Sequence, residues 1–117
     1  VKTQYNYIPQ KDNERFWIIK DVHNGKGFGV YTNKSLNPDQ IVGDTHYIVD
    51  GVAIAITELG KFHNHSDKPN CEAIIGMYVI ELMALSNIEV GEELTVNYQD
   101  YEMILNIEKP NNWKKGE

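Results

Sequence analysis

Cysteine is almost absent from the 117-residue chain: Cys71 stands alone, which excludes an intramolecular disulfide and a thiolate zinc cluster built from this chain. Long apolar runs are missing too. No stretch approaches the roughly 20 residues a helix needs to cross a bilayer, and Val1, Lys2, Thr3 and Gln4 carry no signal-peptide pattern. The expectation is an intracellular protein, in cytoplasm or nucleus, neither secreted nor held in a membrane. Positive charge is scarce, with 11 Lys and Arg against 17 Asp and Glu and a net charge of -6. Direct binding to nucleic acid relies on neutralising phosphates and is therefore not expected. A cationic partner such as a lysine-bearing peptide suits this balance better. There is no internal repeat, no low-complexity tract and no linker between two apolar regions, so residues 1–117 read as one domain.

What is present is the composition of a folded globular protein, 41% hydrophobic and 24% charged. Short strands dominate the pattern. Residues 16–20 and 28–32 are β-branched and aromatic runs, and Asn24-Gly25 between them supplies the positive φ of a tight turn. They predict a hairpin. Asn37-Pro38 marks a turn, and strands at 47–49 and 52–56 flank Asp50-Gly51. Residues 73–75 and 78–85, parted by Gly76, read as another strand pair, with Glu81 on a partly solvated face. Residues 94–98 alternate and read as a last strand. One helix is predicted, over 101–109, where Asp100 caps, Tyr101, Ile104, Leu105 and Glu108 share a face and Pro110 stops it.

Two segments hold the residues of chemical interest. The first runs Phe62-His63-Asn64-His65-Ser66-Asp67-Lys68-Pro69-Asn70-Cys71. Taken by itself it is a turn-rich loop whose short polar side chains bond their own backbone. Its two histidines raise metal binding, but no further ligand stands at a recognised spacing, and no metal site is expected. The second runs Asn87-Ile88-Glu89-Val90-Gly91-Glu92-Glu93-Leu94-Thr95-Val96-Asn97-Tyr98. Taken by itself it is an acidic turn entering a strand that ends in a tyrosine.

Together the two segments resemble the signature motifs of the SET-domain family of protein-lysine methyltransferases. Asn64-His65-Ser66 with Pro69-Asn70-Cys71 is similar to that family's asparagine-histidine loop, and Gly91-Glu92-Glu93-Leu94-Thr95 running to Tyr98 is similar to its terminal motif. Gly25-Lys26-Gly27-Phe28-Gly29-Val30 resembles the family's glycine-rich first motif, and Tyr47-Ile48-Val49-Asp50 the strand before the asparagine-histidine loop. A Rossmann reading of the glycines fails, because their spacing differs and no helix signal follows. The resemblance covers about residues 16–101.

The resemblance implies a mostly β fold, the β-clip-like SET arrangement of several short sheets with a C-terminal pseudoknot and little helix. It implies S-adenosylmethionine as cofactor and a lysine-containing protein or peptide as substrate. Tyr98 takes the role of the catalytic tyrosine. Lys26, Gly27, Phe28, Asn64, His65 and Tyr101 take cofactor-binding roles: the Asn64 amide at the amino-acid end, the His65 backbone at the adenine edge, and Tyr101 or Trp113 stacked on adenine. The sequence also departs from the family pattern. Between Ile41 and Gly60 there is almost no room for the insert that builds part of the peptide groove. His63 replaces an aliphatic residue, Lys61 an arginine and Asn97 an aspartate. The cysteine-rich module that often follows the domain cannot form from Cys71 alone. Compact viral members also lack it and act as dimers, so a viral-like homodimer is the matching expectation. The alternative is a catalytically inactive SET-like module for binding or assembly. The first fifteen residues and the tail after Pro110 match nothing in the family pattern.

Overall fold

The computed structural model describes residues 6–10, 15–21 and 27–107. Its elements are mostly strands. The largest unit is a five-stranded sheet in the order β1-β5-β4-β8-β7, made of β1 (Asn6–Ile8), β4 (Ile41–Val49), β5 (Val52–Thr57), β7 (Cys71–Ile75) and β8 (Val79–Ala84). Three of its four pairings are antiparallel, and at the edge β1 joins β5 in parallel, pairing Tyr7 with Ile56. A second sheet pairs β2 (Trp17–Lys20) with β3 (Gly29–Thr32), and a third pairs β6 (Asn64–His65) with β9 (Thr95–Val96) in parallel.

Local chemistry accounts for most of these elements. Asp50 and Gly51 both adopt positive φ, 52° and 77°, as a two-residue hairpin turn that matches the strand twist requires. The alternating burial of β8, with Ile80, Leu82 and Ala84 inside, is the period-2 pattern of a half-buried strand. Glu81 lies on the other, partly solvated face, as expected from the sequence. The core gathers Trp17, Val30, Ile80, Leu82 and Val96 from the three sheets, Leu59 from the short helix that follows β5, and Leu36, Ile88 and Leu94 from the connecting segments. Burying each large apolar side chain contributes about 1.5–3 kcal/mol.

Three expectations need correction. The strand read at 47–49 begins much earlier, at Ile41, so β4 and β5 form one long hairpin that takes up the length where an insert would stand. The helix read over 101–109 is not formed in its described part: Tyr98–Tyr101 make a 3₁₀ turn capped by Asn97, whose side chain accepts from the Gln99 N–H at 2.9 Å. Tyr98 and Tyr101 both turn inward there, and Leu105 is left exposed rather than buried on a helical face. Glu108, Lys109 and Pro110 lie outside the described residues. The helix that does form, α1 (Glu58–Phe62), was not expected. The last strand is also shorter than 94–98, because the segment changes partner: Leu94 N–H bonds Val30 O on β3, while Thr95 and Val96 pair with β6.

The hairpin of β2 and β3 is as expected, Trp17 facing Thr32 and Lys20 facing Gly29, although its Asn24-Gly25 turn lies outside the described residues. The parallel β6–β9 pair draws the terminal segment in beside the Asn64 loop, which is the crossing that the expected pseudoknot needs. Among the described residues no helix is long and apolar enough to cross a membrane.

Candidate functional site

Helix α1 aims the chain at the site. Thr57 caps it, its hydroxyl accepting from the Gly60 N–H at 3.1 Å, and Glu58 sits favourably in the first turn. Gly60 is required, because a Cβ there would run into the backbone oxygen of Thr45. The helix closes at His63, whose N–H returns to Leu59 O at 3.1 Å, and the backbone extends into β6. The His63 ring points inward, with Nδ1 3.1 Å from Leu59 O and Nε2 2.8 Å from the Tyr101 hydroxyl. A carbonyl only accepts, so Nδ1 carries the proton and Nε2 accepts from Tyr101.

The terminal segment is held against this loop by side-chain bonds to backbone. Asn70 is the clamp: its Nδ2 donates to Glu93 O at 2.8 Å, and its Oδ1 accepts from Thr95 N–H at 2.9 Å. Strand β3 adds Thr32 N–H to Glu92 O and Leu94 N–H to Val30 O, at 3.1 and 2.8 Å. Beyond β9, the Tyr98 N–H donates to His65 Nδ1 at 3.0 Å and the Tyr98 hydroxyl donates to His63 O at 2.9 Å. Since Nδ1 of His65 accepts, its proton lies on Nε2, 3.1 Å from Asp67 Oδ1.

Tyr98 is 5% exposed and packs against the rings of His63, His65 and Tyr101. Burial raises the Tyr98 phenol above its ordinary range, and the Glu93 charge raises it further. At neutral pH it is a hydrogen-bond donor and not a base. Behind it lie two buried imidazoles. Burial lowers His63 to about 4 and His46 to about 3, with His63 adding to the effect on His46. Tyr101 is 2% exposed, edge-on to both of these rings, and burial raises its phenol strongly.

On the outer side of Tyr98 stands an acceptor-rich corner. Asn64 Nδ2 donates to Phe28 O at 2.7 Å and to Glu93 Oε2 at 2.8 Å. The Glu93 carboxylate lies so close over Gly29 that a Cβ on Gly29 would collide with it. Tyr31 borders the same corner, and its phenol is raised by burial first and then by the Glu93 charge. Phe28 is half exposed and meets Phe62 edge-on, ring centroids 5.9 Å apart.

Of the residues singled out in the sequence, Phe28, Asn64, His65 and Tyr98 therefore meet around one corner, with Gly27 beside Phe28 in open space. Tyr101 is inside the core, behind Tyr98, and offers no open ring face. Lys26 and Trp113 lie outside the described residues. Among those residues no group of three His, Cys, Asp or Glu side chains is placed to hold a metal ion. Sequence reasoning missed Glu93 and His63 as members of the site. The signal for Glu93 was Gly29: a glycine inside a strand marks close approach by another group.

The fold and the corner define a class: a small β domain in which an asparagine-histidine loop and a terminal tyrosine segment pair in parallel beside a glycine-rich hairpin. The SET-domain family model matches residues 4–99, and the chain belongs to the SET-domain family. The match also takes in the N-terminal strand β1, which the sequence alone left unassigned. Among solved structures, one similar to this chain is a Plasmodium falciparum protein described as a histone methyltransferase, 20% identical over 72% of this chain and 93% of that one, with a TM-score of 0.58. Another is a humanized mutant of the Chaetomium thermophilum Polycomb Repressive Complex 2 bound to an inhibitor, 18% identical over 74% of this chain, with a TM-score of 0.59. The chain spans only 15% of that second protein. At these identities the likeness is one of fold. No curated protein matches the chain.

Proposed function

We propose that this SET domain transfers methyl groups from S-adenosylmethionine to a lysine side chain of a protein or peptide. The observation that carries the reading is the meeting of Asn64, His65 and Tyr98, tied by the Tyr98 N–H bond to His65 Nδ1 and the Tyr98 hydroxyl bond to His63 O. The residues of the corner fit the cofactor's chemistry. The corner presents the Phe28 carbonyl, the Asn64 amide and the Glu93 carboxylate, a set of acceptors suited to a positively charged molecule, beside an exposed aromatic ring for a base.

In this reading the cofactor, when bound, supplies an electrophilic methyl group on a sulfonium. Gly27, Phe28, Asn64 and His65 hold it. Tyr98 is the catalytic residue. Its raised phenol keeps its proton at neutral pH, so it positions the incoming amine and takes no proton from it. A free lysine, with a pKa of about 10.4, must shed its proton before it attacks, and a desolvated approach past the Tyr98 ring favours the neutral amine. Tyr101, being buried, serves by bonding His63 and backing Tyr98 rather than by stacking on adenine. The homodimer and the intracellular setting belong to the same proposal.

One observation favours the alternative, an inactive binding module: β4 and β5 fill the stretch where a groove-building insert would stand. Calorimetric titration with S-adenosylmethionine, followed by a methyl-transfer assay on lysine-rich peptides, separates the readings. Asn64→Ala is expected to weaken binding, while Tyr98→Phe binds normally and transfers slowly. Cofactor binding with no transfer to any lysine substrate selects the inactive module, and no binding at all removes the proposal.

A further inference from the structure

The corner under Asn64 is unusual in what it lacks. Both hydrogens of the Asn64 amide nitrogen are spent, one on Phe28 O and one on Glu93 Oε2. Both neighbours are pure acceptors, so the amide orientation follows from its partners, and Asn64 Oδ1 is left as a further acceptor. The Glu93 carboxylate is half-buried, and among the described residues no cation pairs with it. A carboxylate drawn partly out of water is commonly matched by a positive charge. The fold nevertheless makes room for it, because only a glycine at position 29 allows the carboxylate to lie where it does. Strand β3 holds it there through the Tyr31–Glu93 bridge.

We propose that Glu93 is a direct ligand of the α-ammonium group of the cofactor's amino-acid end, with Asn64 Oδ1 and the Phe28 carbonyl as the other acceptors. This inference rests on the S-adenosylmethionine reading above and adds a residue to it. An ammonium brings three N–H donors and a full positive charge, which is the complement of three acceptors of which one is anionic. The cofactor's other cationic centre, the sulfonium, has no N–H or O–H to donate and makes no use of such an array. The amino acid's carboxylate is repelled by Glu93 and must point away from it. Asn64 thus acts twice, fixing the Glu93 carboxylate with its nitrogen and meeting the ammonium with its oxygen.

The test is calorimetric titration of the full chain with S-adenosylhomocysteine and with S-adenosyl-4-thiobutyrate, the same molecule without its amino group. Glu93→Gln keeps the shape and the bond from Asn64 but removes the charge. It is expected to weaken S-adenosylhomocysteine roughly 10- to 100-fold, as befits loss of a charge-assisted bond, and to change the deaminated ligand by less than about twofold. Gly29→Ala, whose methyl displaces the flexible end of Glu93, is expected to repeat this selective loss with the melting temperature nearly kept. Equal weakening of both ligands, or of neither, overturns the assignment of Glu93 while leaving the cofactor reading intact. Weakening of S-adenosylmethionine but not of S-adenosylhomocysteine assigns the carboxylate to the sulfonium and also overturns it. A wild-type chain that binds neither ligand removes the cofactor reading, and this inference with it.

Discussion

Mild acid is expected to destabilise this protein through the histidine pair behind Tyr98. Unfolded, both imidazoles titrate near 6.5, whereas burial lowers His63 to about 4 and His46 to about 3 in the fold. Between those limits the unfolded chain binds more protons than the folded one, so stability falls as pH falls from about 6.5 and stops falling only below the folded values. Each group contributes about 1.36 kcal/mol per pH unit. From pH 7 to pH 5 the loss is therefore roughly 2 kcal/mol for each histidine and roughly 4 kcal/mol for the two. His63→Leu isolates one of them. It forfeits the bonds to Leu59 O and from Tyr101, and is expected to cost about 1–3 kcal/mol at pH 7. Its further loss between pH 7 and pH 5, however, shrinks to about 2 kcal/mol. Guanidinium unfolding at pH 7, 6 and 5, followed by the fluorescence of buried Trp17, measures both quantities. Carboxylates titrate equally in the two proteins and cancel in the comparison. An acid loss as large in His63→Leu as in the wild type would refute the reasoning.

Other outcomes follow from single contacts. Gly60→Ala drives a methyl into the Thr45 carbonyl, which cannot retreat within β4, and should cost about 1–3 kcal/mol or more in urea unfolding; a neutral effect would mean α1 can shift off the sheet. Asn70→Ala orphans the Glu93 carbonyl and the Thr95 N–H; a loss of roughly 2–4 kcal/mol is expected, and one below about 0.5 kcal/mol would show that Asn70 is no clamp. Cys71 is wholly buried and its thiol is pushed up to about 12 by desolvation. A disulfide reagent should therefore label it only as fast as the chain opens, and labelling of the native protein at a free-thiol rate would contradict its placement.

How far the sequence could be read depended on whether a signal was local. The Asp50-Gly51 turn and the alternation through Ile80, Leu82 and Ala84 are written in neighbouring residues, and both were legible. Helix α1 was hidden because Gly60, a poor helix former, stands in its middle for the sake of Thr45 on another strand. The helix read over 101–109 had the right spacing. It lost to tertiary contacts, because the Tyr98 and Tyr101 hydroxyls both reach His63 and tighten the chain into a 3₁₀ turn. In the site, Asn64, His65 and Tyr98 were legible through family motifs. Glu93 was not, since its meaning depends on Gly29 and Asn64, which lie far from it in sequence. His63 was noticed only as a departure from pattern; its two ring bonds explain why an imidazole fits where a hydrocarbon is usual.

The parallel pairing of Asn64 with Thr95 and His65 with Val96 has a kinetic side. Strands of two residues give too few bonds to offset, by themselves, the entropy of closing the long loop between them. They are expected to zip only after the β7–β8 hairpin inside that loop has shortened the path. Closure of the corner between Asn64 and Tyr98 is thus expected to come late in folding, after the first sheet has been buried.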